Sequence, residues 1–192
     1  GKILRGDRPG EEPEGEPAQI TRSYGEVSVT TLPTKYKKIK FETHENVGYG
    51  DIHLPEQELQ TEAYWLSFPE SLIAQFNAQG LDLGAGLQGL ATLLMQVVPL
   101  FVMCDPKDIR SVPMLKSPYA QRPTIYLYDD YPGGIGICQL IYEKHAAILR
   151  AARQLVQECS CRRGCPSCVG PQLEVGPSGK HSAQQLLGYL EK

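Results

Sequence analysis

Cys159-Ser-Cys-Arg-Arg-Gly-Cys-Pro-Ser-Cys168 packs four thiols into ten residues with the spacing C-x-C-x3-C-x2-C. Four thiolates complete a tetrahedral shell for Zn²⁺ at about 2.3 Å and leave no position open for water or substrate. The stretch therefore predicts one zinc ion per chain in a structural role, with Cys159, Cys161, Cys165 and Cys168 as ligands. Gly164 and Pro166 supply the tight turns that bring neighbouring sulfurs together. Two other chemistries use such residues. Cys165-Pro-Ser-Cys168 alone has the form of a thiol–disulfide exchange pair, but that reading leaves Cys159 and Cys161 without a role. Iron–sulfur clusters also take four cysteines, at different spacings. Closeness along the chain leaves open whether Cys104 or His181 replaces one of the four.

The residues from Glu158 to Gly179 hold few large apolar side chains, whereas a structural zinc contributes roughly 10–16 kcal/mol in small peptide sites. Metal is thus expected to fix how the last helix docks. Arg162 and Arg163, inside the cluster, have two readings: they offset the −2 charge of a zinc tetrathiolate, or they meet a nucleic-acid phosphate.

Working outward, Ile137, Ile141, Ile148, Ala152 and Leu155 form the apolar stripe of a helix over 136–157 that runs directly into the cysteines. His145 falls on that stripe and reads as a core histidine. Beyond the cluster, Ala183, Leu186, Leu187 and Leu190 mark a terminal helix. Upstream, Thr124–Tyr128 is a short apolar strand, joined to the long helix by Asp129-Asp-Tyr-Pro-Gly-Gly-Ile-Gly136. A glycine-rich turn at a helix start either cradles an anion on backbone N–H groups or makes a sharp bend. The second reading is preferred, with Asp129, Gly133, Gly134 and Gly136 as turn residues. Val175-Gly-Pro-Ser-Gly-Lys180 lacks the first glycine of a nucleotide-binding P-loop and has His181 where Ser or Thr belongs.

Leu87, Leu90, Leu93, Leu94, Val97 and Val98 predict a buried helix over 86–103, kinked or ended near Pro99. Cys104-Asp-Pro-Lys-Asp108 follows it; a buried thiol before a turn is preferred there over a nucleophile, for which no histidine partner can be assigned. A shorter helix begins after Pro69 and stops at Gly80. Alternation predicts two antiparallel strands, one around Val27, Val29 and Thr31, the other around Tyr36, Ile39 and Phe41, with a further strand over 62–68 and a loop over 44–55. Lys35, Lys37, Lys38 and Lys40, interleaved with Tyr36, form either a solvated strand face or a grip on single-stranded DNA. Residues 1–18, rich in Gly, Pro and Glu, read as a disordered leader or linker, and 19–192 as a single α+β domain. The expected architecture has small antiparallel strands toward the N-terminus, several helices and a C-terminal four-cysteine zinc knuckle.

The chain has 192 residues, 41% of them hydrophobic, with a formal charge of −3 unevenly spread. Residues 46–105 carry seven acidic side chains and no Lys or Arg, while 106–192 hold eleven basic and seven acidic. The middle of the chain repels polyanions. The run Leu93–Cys104 is shorter than the roughly 18 apolar residues of a membrane span, and residues 1–17 do not resemble a signal peptide, so a cytoplasmic protein without a membrane partner is expected. The clustering of four of the six cysteines argues against a secreted disulfide framework.

Taken together, these motifs resemble the C-terminal MrfA-type zinc-binding domain of certain superfamily II DEAD/DEAH-box DNA helicases. The resemblance rests on Tyr24-Gly-Glu-Val, Lys35-Tyr-Lys-Lys-Ile39, Leu54-Pro-Glu-Gln-Glu-Leu-Gln-Thr-Glu-Ala63, Cys104-Asp-Pro-Lys-Asp-Ile109, Tyr128-Asp-Asp-Tyr-Pro-Gly-Gly-Ile-Gly136 and the cysteine cluster. It implies zinc on the four cysteines and a parent ATP-dependent DNA helicase of the mitomycin-repair-factor or Hrq type, moving 3′ to 5′ on single-stranded DNA during repair. It also implies motor domains in the same polypeptide, so that this part has no catalytic residues of its own. From the basic patches at Lys35, Lys37, Lys38 and Lys40 and at Arg162 and Arg163, a mechanical role in bracing or guiding DNA is expected. Related domains occur in phage defence and other DNA-processing systems. A zinc-stabilised protein-interaction module is the alternative from a different class, and a thiol–disulfide enzyme a third.

Overall fold

The computed structural model describes residues 2–6, 19–31, 35–39, 46–51 and 56–190, the first, third and fourth of these segments as backbone only. Strands β1 (Lys2–Gly6), β2 (Thr21–Thr31), β5 (Gln57–Ser67), β7 (Thr124–Asp129) and β6 (Ile109–Met114) form an antiparallel sheet in that order. A separate two-stranded ladder joins β3 (Lys35–Ile39) to β4 (Asn46–Asp51). Helices α1 (Ser71–Ala78), α2 (Leu83–Val102), α3 (Ile137–Glu158), α4 (Gln172–Val175) and α5 (Gly179–Tyr189) complete the described elements.

The two faces of the sheet follow the period-two alternation of its strands. Tyr64, Leu66, Ile109, Ile125 and Leu127 face the helices and join the main core, while Val27, Val29, Ala63, Trp65, Val112, Tyr126 and Tyr128 cluster on the opposite face. The strand character expected around Val27 is present, but its partner differs. β2 pairs in full register with β5, Thr21 opposite Ser67 and Thr31 opposite Gln57, while the lysine-rich run pairs with β4 inside the stretch expected to be a loop. Alternation specifies that a strand forms and which side is buried. It does not name a partner 30 residues away.

Two further differences have local causes. Strand β6 contains Pro113, which hides it from a strand reading; as the edge of the sheet it needs no amide donor on its open side. Within the segment read as a leader, Lys2–Gly6 runs as an edge strand along β2, Lys2 opposite Thr31. The remainder of that segment lies outside the described residues.

Helix α2 is the hub of the core. Asp82 caps it, its carboxylate accepting from the amides of Gly84 (2.7 Å) and Ala85 (3.2 Å). Pro99 lies inside its final turn without ending it, because one amide donor is lost there while burial of Val98 and Val102 holds the chain in place; Met103, with φ 53°, ends the helix. By length and composition α2 also passes for a membrane span, with mean hydropathy 1.7, but over half of the 18-residue window that passes is buried inside the fold. Gly86 and Gly89 let α5 approach closely: a Cβ at Gly89 would sit 3.2 Å from Ala183 Cβ and 3.3 Å from Val169 Cβ.

The turn between β7 and α3 fixes the start of the longest helix. Gly133, Gly134 and Gly136 all have left-handed backbone, with φ between 74° and 81°, the region glycine enters without steric cost. The fully buried Asp129 carboxylate accepts from the amides of Ile135 (2.7 Å), Ile137 (3.2 Å) and Cys138 (3.1 Å). The N–H groups that an external anion would need are thus taken by the chain's own. Along α3, His145 is half-buried and hydrogen-bonded to Tyr64; burial, with the field of Arg22, pushes its pKa down to about 4, so the ring is neutral at neutral pH. Replacing Asp129 by Ala leaves three donors beside a buried site without their acceptor. The Asp129→Ala variant is expected to lose about 3 kcal/mol of unfolding free energy in a denaturant titration, against less than 0.5 kcal/mol for Asp105→Ala on the exposed turn.

Candidate metal centre

Helix α3 ends at Glu158, and its capping amide, Cys159 N–H, bonds back to Leu155 O (3.1 Å), so the first cysteine leaves the helix at a fixed angle. The chain then folds on itself. Cys168 and Gly170 both donate amides to Cys165 O at 3.0 Å, closing the turn around Pro166 and Ser167. Gly164 has φ 126°, and a Cβ there would stand 2.7 Å from Gly170 O. Only glycine fits that position without moving the backbone.

The four sulfurs converge. Cys159–Cys161 and Cys161–Cys168 lie 3.5 Å apart, and Cys159–Cys165 and Cys165–Cys168 lie 3.6 Å apart. All four atoms fall within 4.8 Å of one another. Bonds of about 2.3 Å to a tetrahedral zinc place sulfurs about 3.8 Å apart, whereas a disulfide needs about 2.05 Å. The spacing fits one metal ion and no disulfide. Cys104 and His181 are not members of this group. Cys104 sits half-buried after α2, and burial together with Asp108 raises its pKa, the opposite of what a nucleophile needs.

The environment of the ligands is uneven. Cys168 and Val169 are fully buried in the main core, whereas Cys159, Cys161 and Cys165 are half-exposed. Without metal, the amide of Cys161 and the neighbouring thiols bring Cys159 down to about 7, while burial pushes Cys168 up to about 12. A bound cation removes that difference by holding every ligand as thiolate.

A residue that the sequence reading passed over completes the centre. Lys180, 8% exposed, reaches back from the first turn of α5 and donates from Nζ to the carbonyls of Cys159 (2.7 Å) and Cys161 (2.6 Å). Its ammonium also lies beside a site whose zinc form carries −2. The only cue in the sequence is a lysine among the small residues Gly179, Ser182 and Ala183, where a helix packs too closely for a long side chain to turn outward. From the other side, Gln96 of α2 donates to Pro166 O (3.2 Å). The knuckle is therefore fastened to α2, α3 and α5 together. Arg162 and Arg163 are exposed on its rim, and the side chains of Lys35, Lys37, Lys38 and Lys40 lie outside the described residues.

Residues 90–169, from the middle of α2 through the last cysteine, match the MrfA Zn-binding domain family. The chain carries an MrfA Zn-binding domain. The ATP-dependent helicase YprA of Bacillus subtilis is 42% identical over 175 residues, which cover 91% of this chain and 23% of that protein. ATP-dependent helicase HRQ1 of Saccharomyces cerevisiae is 25% identical over 147 residues, 70% of this chain and 13% of its own length. Among solved structures, the DUF1998 helicase MrfA bound to DNA superposes with a TM-score of 0.75 and 37% identity, over 99% of this chain and 25% of that one. The chain thus spans a quarter or less of these helicases. The match runs beyond the zinc-binding segment to the sheet and α1.

The Lys180→Met variant keeps much of the apolar stem but leaves two knuckle carbonyls without their charged donor. It is expected to cost about 3 kcal/mol in unfolding free energy and to release zinc faster to a chromogenic chelator, whereas the exposed Lys116→Met is expected to change neither.

Proposed function

We propose that this chain is the non-catalytic accessory region of an ATP-dependent DNA helicase, in which zinc holds the C-terminal helices in place and the basic surface beside the knuckle guides single-stranded DNA. The observation that carries this reading is the likeness to a DNA-bound helicase over 99% of the chain at 37% identity. A full shell of four thiolates has no open position for substrate, which supports a structural metal and chemistry carried out elsewhere in the parent protein. Movement 3′ to 5′ and a role in DNA repair follow from the family resemblance and belong to the same proposal, as do motor domains in the same polypeptide and a cytoplasmic location.

One feature favours a second reading, that of a protein-interaction module: Leu100 and Met103 at the end of α2 are 78% and 93% exposed, an apolar pair that a protein partner would cover.

In the full-length parent enzyme, Arg162→Glu with Arg163→Glu is expected to slow strand unwinding about tenfold while DNA-stimulated ATP hydrolysis changes less than twofold. Unwinding and hydrolysis that fall together, or neither falling, contradict the guiding role.

A further inference from the structure

Strand β2 carries an arginine where its alternation calls for an apolar residue. Arg22 stands opposite Leu66 and two residues before Tyr24, on the side of the sheet that faces the helices. Ile20 and Tyr24, its neighbours on that side, pack against the main core. Arg22 instead lines a cleft of about 500 Å³ between the end of the sheet and helices α1, α3 and α5, within the roughly 300–1,000 Å³ of small-molecule sites. The buried Leu66 and Leu72 give the cleft an apolar wall, and Tyr189 gives it an aromatic one.

Three of its side chains offer hydrogen-bond donors. The Arg22 guanidinium lies 4.4 Å above the Tyr142 ring centre. That contact uses the face of the group and leaves its in-plane N–H donors, and no carboxylate among the described residues pairs with them. Gln75 Oε1 accepts from the Tyr189 hydroxyl (3.0 Å), which orients the amide and leaves its NH2 to donate. The Tyr64 hydroxyl meets His145 Nδ1 at 2.5 Å and has no other hydrogen-bond partner among the described residues. It therefore donates, and the neutral imidazole keeps its proton on Nε2. A core histidine held by Tyr64 accounts for Nδ1 alone. Among the described residues no carboxylate lines the cleft; Glu70 and Glu143, close in sequence to Pro69 and His145, are exposed outside it.

We propose that this cleft binds one nucleotide unit, with Arg22 on the phosphate and the base against Tyr189 and the apolar wall, its carbonyl oxygens accepting from Gln75 and His145. The unit is either a free mononucleotide or one residue of a single strand, so the proposal goes beyond the guiding surface at Arg162 and Arg163 and does not depend on it. One cation without a carboxylate partner matches the charge of one phosphate, and the planar fork of arginine suits its oxygens. Donors with no acid beside them match a base edge rich in acceptors, such as thymine with O2 and O4. A flat base also stacks on tyrosine, and apolar side chains hold it away from water. A cationic ligand finds no opposite charge in this cleft.

The test is an amide chemical-shift titration of the zinc-loaded chain with thymidine monophosphate, thymidine, inorganic phosphate and an oligothymidylate. The monophosphate is expected to shift the amides of Arg22, Gln75 and His145 and to bind more tightly than inorganic phosphate. Arg22→Gln is expected to weaken the monophosphate about tenfold while thymidine changes about twofold or less, and Arg22→Lys to recover most of the loss. Gln75→Ala is expected to weaken both ligands alike, by about fivefold, and the exposed Arg150→Gln to change neither. Zinc content and thermal midpoint confirm that each variant is folded. An oligomer that binds more tightly than the monophosphate, and is weakened by Arg22→Gln, marks a strand as the source; the reverse order marks a free nucleotide. Inorganic phosphate that binds as well as the monophosphate overturns the site, as does an Arg150→Gln loss equal to that of Arg22→Gln, or no binding of monophosphate or oligomer at this cleft. Oligomer binding that survives Arg22→Gln but is lost on Arg162→Glu with Arg163→Glu overturns the cleft and leaves the DNA-guiding reading standing.

Discussion

Four sulfur atoms within 4.8 Å of one another are stable as thiolates only with a cation between them, and the C-terminal third of this fold is arranged around that requirement. The centre does not stand apart from the core. Cys168 is buried in it, Lys180 reaches the site from α5, and Gln96 reaches it from α2. A zinc finger uses metal in place of a core. Here the metal joins a core that already exists to a segment poor in apolar side chains, so it decides the placement of α4 and α5 more than the existence of the sheet.

The second fixed point is the Asp129 carboxylate. It starts α3 at one end as zinc holds the chain leaving it at the other, 22 residues later. Both are cases of a chain satisfying charge or orphan amides with its own groups. With both ends anchored, α3 has a defined direction relative to the knuckle.

What was legible in the sequence was local. The cysteine spacing, the stripe of α3, the leucine pattern of α5 and the glycine turn at 133–136 each depend on neighbours within about ten residues, and the structure places them as expected. What was not legible depended on distant partners or on residues acting against type. β2 pairs with β5 across the whole lysine-rich segment, and no alternation pattern encodes that choice. Pro113 disguised an edge strand, and Gly48 and Gly50 made β4 resemble a loop. Lys180, a residue type that is seldom buried, lies under the metal site because two backbone carbonyls there need a donor. The metal ligands were visible, but the lysine that supports them was not, since its role exists only once α5 has docked.

Native mass spectrometry of the purified chain under non-reducing conditions tests the central claim most directly, because metal and disulfide alter the mass in opposite directions. The account predicts a single species heavier by one zinc ion, with that mass lost on acidification and all six cysteines then open to alkylation. A metal-free chain lighter by one or two pairs of hydrogens, with the cluster cysteines closed to alkylation, would contradict it.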